Sequence, residues 1–254
     1  MIHRIMAGKK YELIEMYKFI SMQDLYIIGE TKSLTRTEIT EIEKSVHYSL
    51  PTDYKIFLSL YGYGEINELL MITEPDKEYI RSNFSDYMYL WDWKENDELK
   101  ALNGLTIGKT IDGDIIAVTD NPVVPIMMLP RHQEVPVNFS DFQSVIEYYN
   151  KEYKFDNNLY FDTYNEHAME YIDLACNAKT DKGLIDFLHK IFLEKYQVDK
   201  SFNQDKQPKH VIQSIGGWVY FDLLSGSAVR IKYQKRFKKE ATEILGFIND
   251  NRNN

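Results

Sequence analysis

Cysteine is almost missing from this chain. It holds one, Cys176, so no internal disulfide can form, which fits a reducing compartment. No apolar run approaches the roughly 20 residues that a membrane helix needs. The opening stretch MIHRIMAGKKYELIEMYKFI sets Glu and Lys among its apolar positions and lacks a signal-peptide core. Together these absences point to a cytoplasmic protein with no membrane partner. The remaining composition, 44% hydrophobic and 27% charged over 254 residues, is that of a folded chain of one large domain or two ordinary ones.

The signatures of catalysis are missing too. There is no G-x-S-x-G elbow for acyl transfer. Gly104-Leu-Thr-Ile-Gly108-Lys109-Thr110 has three residues between its glycines where a phosphate loop needs four. It then runs into a turn, Ile111-Asp112-Gly113, rather than a helix. The 6 histidines have no metal spacing, and His167, His189 and His210 read as solvated surface residues. Asp112 and Asp114 lack the further oxygen ligands of a calcium loop and read as turn aspartates. Cys176 sits in an apolar run and reads as a small core residue. The expectation is a protein that is not an enzyme and has no cofactor and no metal.

Charge is unevenly placed. Residues 1–155 carry 16 Lys+Arg against 25 Asp+Glu, whereas residues 156–254 carry 14 of each. An acidic globule repels nucleic acid and steers toward a basic partner, although acidity also serves solubility. The one strong basic run, Arg230, Lys232, Lys235, Arg236, Lys238 and Lys239, reads as a solvated strand–helix corner in preference to a nucleic-acid contact.

Periodicity orders the elements. Tyr11–Asp24 is amphipathic and predicts a leading helix. In Leu34–Gly64, Thr35 and Glu38 have capping-box spacing, and Ile39, Ile42 and Val46 form a helical stripe. Pro51 closes that helix and suits the first position of the next, whose stripe is Tyr54, Phe57, Leu58 and Tyr61. Gly62 and Gly64 end it. Ile66–Ile72 predicts a strand and Glu74-Pro75-Asp76 a turn. Alternating Tyr87, Tyr89, Trp91 and Trp93 in Phe84–Glu98 predict a strand with an aromatic face. Leu105–Ile107 and Asp114–Val118 predict a hairpin about Asp112-Gly113, and all-apolar Val123–Leu129 a central strand. Ser140 with Gln143 repeats the capping box before the stripe Phe142, Val145, Ile146 and Tyr149. Charged Lys151–Asn158 marks a boundary. Beyond it come a strand at Tyr171–Ala175, a helix over Asp181–Tyr196 and a polar loop over Val198–Lys209. Two strands, Trp218–Leu224 and Ala228–Tyr233, precede a last helix over Lys238–Asn249.

The expected class is α+β, an antiparallel sheet flanked by helices with a smaller α+β C-terminal domain. The expected division is an N-terminal helical extension over 1–30, a first domain over 31–155 and a second over 156–254. Tyr61, Tyr63, Trp91 and Trp93 with Asp92, Glu95, Asp112 and Asp114 form the candidate binding face. Aromatic rings give anchors, and carboxylates steer and pair with a basic protein.

One resemblance follows from the order of these pieces. The helix, "LP-x-DYK-x-FL" corner and glycine stop of Leu34–Gly64, then IGKTIDGDIIAVTD at Ile107–Asp120, then VNFSDFQSVIEYY at Val137–Tyr149, resemble the SUKH superfamily over about residues 31–155. The chain departs from it in having "GYGE" where many members carry a double glycine. The resemblance implies a bacterial immunity protein that binds and neutralises a partner toxin, often a nuclease. The family's cell-wall assembly regulators imply an alternative, a regulatory scaffold with several weak partners. The C-terminal part is faintly similar to the barstar family through its "LHK" helix and "GGWVYF" strand. It lacks that family's proline-tyrosine-glycine-asparagine motif and final strand, so an unclassified α+β extension is the plainer reading.

Overall fold

The computed structural model describes residues 25–94, 96–155, 158–175, 181–203 and 206–252. The leading helix expected over Tyr11–Asp24 lies outside these residues, as do Glu95 and Cys176. The chain is α+β and divides into two compact units. Among the described residues, 31–163 belong with 25–26, and 164–252 belong with Ile27–Glu30. Among the described residues no helix is long and apolar enough to cross a membrane.

In the first unit, α1 (Arg36–Val46) opens on the expected capping box. Thr35 Oγ1 accepts from Glu38 N at 3.2 Å, and the Glu38 carboxylate accepts from Thr35 N at 2.7 Å. Pro51 stands at the cap of α2 (Thr52–Tyr61), one position earlier than expected, and Tyr54, Phe57 and Leu58 are buried. Gly62 stops α2 at φ 71°, where a Cβ would lie 2.0 Å from the Lys32 carbonyl oxygen.

Eight strands form the sheet. They are β1 (Tyr26–Ile28), β2 (Gly64–Ile66), β3 (Leu70–Asp76), β4 (Leu105–Thr110), β5 (Ile115–Val118), β6 (Ile126–Leu129), β7 (Val137–Phe139) and β8 (Tyr160–Thr163). Their order is β1-β8-β2-β3-β4-β5-β6-β7, antiparallel from β8 onward. The single strand expected over Ile66–Ile72 is a hairpin. Asn67 and Glu68 take φ of 51° and 57° and fold Ile66 back onto Leu70. Glu74-Pro75-Asp76 is the end of β3 rather than a turn, and the register shifts there, where a proline without an N–H is tolerated. The hairpin about Asp112-Gly113 forms as expected, with Gly113 at φ 98°. β6 is central, between β5 and β7.

Strands β5 and β6 are buried at every residue, so both faces of the sheet must be covered. Ile115, Ala117, Met127 and Leu129 pack with residues of α3 (Tyr79–Phe84) and α4 (Asp97–Leu102). Met128 meets the other face, where Tyr149 of α5 (Phe142–Tyr153) places its hydroxyl 2.9 Å from the sulfur. Helix α2 packs there as well: Tyr54 and Phe57 lie 4.9 and 5.2 Å from the Phe142 ring, and Phe57 lies 5.6 Å from Phe161 of β8.

The start of α5 departs from expectation. Asp141, not Ser140, is the cap, accepting from Ser144 N at 2.7 Å, and Gln143 turns to Glu147 instead. A carboxylate accepts amide hydrogen bonds more strongly than a hydroxyl does. Asp53 of α2 adds a second carboxylate, accepting from Phe142 N and from Gln143 N. Burial pushes the Asp53 carboxyl up, and the two amides pull against that.

The second unit is a five-stranded antiparallel sheet. Its strands are β9 (His167–Asp173), β10 (Lys200–Phe202), β11 (Lys209–Ile212), β12 (Gly217–Phe221) and β13 (Ala228–Gln234), in the order β10-β11-β12-β13-β9. Helices α6 (Lys182–Lys195) and α7 (Lys238–Asn251) bury Ile185, Leu188, Phe192, Ala241, Ile244 and Ile248 against Val219, Phe221, Val229 and Ile231. The loop expected over Val198–Lys209 contains β10 and the first residue of β11. Their polar residues are specified by pairing, Lys200 with Val211 and Ser201 with His210, which hydropathy does not register.

Two glutamines hold the segment Ile27–Glu30 in this unit. Gln213 accepts from Gly29 N at 3.0 Å and donates to the Ile27 carbonyl at 2.7 Å. Gln234 accepts from Glu30 N at 3.1 Å and donates to the Glu30 carbonyl at 2.7 Å.

His189 and His210 are not the solvated residues expected. His210 is 4% exposed, and its Nε2 lies 2.7 Å from His189 Nε2, so one ring donates and the other accepts. Ser201 Oγ lies 2.8 Å from His210 Nδ1. Burial, with His189 adding to it, pushes His210 down to about 4, and burial lowers His189 as well.

Asp53→Ala is expected to cost about 1–2 kcal/mol in thermal or urea unfolding, and Asp53→Asn, which keeps an acceptor, less. For the histidines, the unfolded chain takes up a proton near 6.5 whereas folded His210 resists protonation down to about 4. Stability is therefore complete above that window and drains as the pH falls through it. Urea midpoints measured from pH 7 to 4 are expected to fall less steeply in His210→Gln than in the parent.

Candidate partner-binding surface

The aromatic and acidic run Phe84–Glu98 does not form the expected strand. The helical spacing of α3 continues into it, with Ile80, Met88 and Trp91 buried and Phe84 partly buried between them. After α3 the backbone makes a 3-10 turn over Ser85–Leu90 and an extended exit at Trp91. Trp91 is 7% exposed and donates its Nε1–H to the Pro130 carbonyl at 2.8 Å. Half-buried Trp93 donates to the Met88 carbonyl at 2.6 Å, its ring 5.9 Å from that of Trp91. A large ring is buried when its one N–H finds a carbonyl, and both do.

With the tryptophans turned inward, other residues of the same segment face solvent. Tyr87 is 51% exposed, Tyr89 76%, Leu90 41%, and Leu99 on α4 60%. Asp86, Asp92 and Glu98 are exposed beside them in sequence, and Asp97 pairs with Lys100 at 2.9 Å. Reading the run at a period of 3.6 instead of 2 separates inner from outer residues correctly, and that signal is present in the sequence.

Asp112 and Asp114 serve the fold. The Tyr153 hydroxyl donates to Asp112, and Tyr149 donates to Asp114 at 2.9 Å. Asp114 also accepts from Arg131 N at 2.8 Å. These bonds fasten α5 to the β4–β5 turn. Burial first, and then the Asp114 carboxylate, push the Tyr149 hydroxyl far above its ordinary value; for Tyr153 the bond to Asp112 is the larger cause.

Tyr61 and Tyr63 lie apart from the tryptophans. Tyr61 is half-buried against Phe57 at 5.0 Å and Phe161 at 5.7 Å, on the α2–α5 face of the sheet. Trp91 packs on the opposite face, with Ile115 and Leu129. The Tyr63 hydroxyl is enclosed without a hydrogen-bond partner among the described residues, and burial, then Glu74 and Glu38, raise its pKa. The expected single face of Tyr61, Tyr63, Trp91, Asp92, Trp93, Asp112 and Asp114 is therefore not assembled, because the sheet separates its members. Asp92 alone stays exposed beside the surface aromatics, its backbone N–H donating to the Glu134 carbonyl at 2.6 Å.

The exposed residues of Asp86–Leu99 offer contact chemistry: flat rings with polar tips, two leucines and three carboxylates. Among the described residues no group of three or more His, Cys, Asp or Glu side chains could hold a metal ion. No family model matches the chain, and neither does any curated protein or solved structure.

Core and surface aromatics are separable by measurement. Trp91→Ala is expected to destabilise by about 3–5 kcal/mol, as for a buried tryptophan. Tyr89→Ala is expected to stay within about 0.5 kcal/mol of the parent in the same urea titration.

Proposed function

We propose that this chain is a non-catalytic protein-binding module that docks a basic protein through Tyr87, Tyr89, Leu90 and Leu99. The observation that carries this reading is a run of large apolar side chains left in solvent beside Asp86, Asp92 and Glu98 while their neighbours Met88 and Trp91 are buried. Tyrosine anchors give affinity at low entropic cost, and surrounding carboxylates speed encounter with a cationic face.

The finer reading is a bacterial immunity protein that covers the active site of a toxin, a nuclease in the first instance. The resemblance to SUKH proteins supports it, as does the acidic balance of residues 1–155, because a nuclease that grips phosphate presents a basic cleft. The regulatory alternative differs in its outcome, with several weak partners in place of a single tight one.

The test is affinity capture from the source cell at low and high salt, followed by a nuclease assay on whatever is captured. One basic partner is expected, released by high salt and inhibited when the parent protein is added back. The Tyr87→Ala/Tyr89→Ala variant is expected to bind it roughly 30-fold more weakly with unchanged stability. Several partners of similar weak affinity would replace the immunity reading with the regulatory one, and no partner at all would end both.

A further inference from the structure

A groove of about 550 Å³ lies in the first unit, between the corner that joins α1 to α2 and the loop that joins β5 to β6. We infer that it binds a guanidinium group, the side chain of an arginine presented by a basic protein. This deepens the reading above and rests on it only for the source of the arginine.

The walls suit a flat cation. Tyr48, Leu50 and Pro51 line one side, and Val118, Asp120 and Pro122 the other. Asp120 supplies the only carboxylate among the lining residues and is exposed. Its side chain makes no ion pair or hydrogen bond among the described residues, so both oxygens are open to a bidentate fork. The polar groups next to it are engaged within their own turn. Thr119 Oγ1 accepts from Asn121 N, and Asn121 Oδ1 accepts from Val123 N and Val124 N.

Tyr48 is half-buried and close enough to feel Asp120. Burial first, and that carboxylate second, push its hydroxyl up to about 12, which keeps the ring neutral. The neutral phenol ring gives a guanidinium a surface to stack on, and Pro51 and Pro122 add apolar contact for the side-chain stem. A lysine ammonium would pair with Asp120 and gain less from the walls. The end of α1 and the start of α2 meet at this corner, so their opposite half-charges offset each other, and the ionisable side chains of the lining are Tyr48, His47 and the one carboxylate, Asp120. The volume falls within the range of small-ligand sites and exceeds the needs of one side chain.

The experiment is an amide NMR titration of the whole chain with N-acetyl-arginine amide, compared with N-acetyl-citrulline amide, its uncharged counterpart of the same shape. Saturable shifts are expected at residues 47–52 and 118–121 with arginine and not with citrulline. Asp120→Asn is expected to weaken binding about 10-fold or more, the loss that follows from removing a charged hydrogen bond. Tyr48→Phe should bind nearly as the parent does, and Tyr48→Ala several-fold more weakly. Asp120 is exposed and supports no other side chain, so the spectrum of Asp120→Asn should otherwise match the parent. Absence of shifts, equal shifts with citrulline, or undiminished binding by Asp120→Asn would each overturn the inference. If arginine binds as expected while no basic protein is captured, the groove stands and the wider functional reading falls.

Discussion

Everything in the first unit follows from strands β5 and β6 being apolar on both faces. Ile115–Val118 and Ile126–Leu129 have no residue that tolerates water, so neither face of the sheet can be left open. Two helices, α2 and α5, close one side. The short helices α3 and α4 and the 3-10 turn between them close the other. This second cover is the costlier one to build from short pieces, since helices of six residues have little stability of their own. Trp91 and Met88 hold it down by burial, and the Trp91 indole is fixed by the Pro130 carbonyl at the end of β6.

That requirement explains the surface proposed for partner binding. A short cover held by inward residues three or four apart must point the remaining side chains outward, and here those are Tyr87, Tyr89 and Leu90. Water would be better faced by polar residues, so the tyrosines and leucines are not explained by the fold. Binding is a reason for them that folding is not.

Polar side chains do the joining in both units. Asp53 caps a helix from a different helix, Asp112 and Asp114 receive the tyrosines of α5, and Gln213 and Gln234 hold Ile27–Glu30 by its backbone. In the second unit His189 and His210 share a hydrogen bond beneath Phe221 and Phe192, whose rings lie 6.1 and 5.9 Å from that of His210. Each of these ties connects residues far apart in sequence, and all but the exposed Tyr153–Asp112 bond satisfy groups at least partly buried.

The sequence by itself determined the α+β class, the capped helix at Thr35, the Asp112-Gly113 hairpin, helices α6 and α7, and the central strand expected over Val123–Leu129, which begins three residues later at Ile126. These are written in local periodicity, caps and turn residues, whose physics spans a few neighbours. Tertiary structure alone decided the rest. Whether Phe84–Glu98 coils or extends was decided by the apolar face of β5 and β6 that Met88 and Trp91 cover, because the run carries both a spacing of three to four and the alternation of Tyr87, Tyr89, Trp91 and Trp93. Asp112 and Asp114 became structural ties because tyrosines arrive from a helix some thirty residues on, and Asp53 became a cap because α5 begins beside it. His210 left the surface because Phe192 and Phe221 close over it. Carboxylates and imidazoles look the same in a sequence whether they meet solvent or a partner side chain, and only the packed chain distinguishes the two.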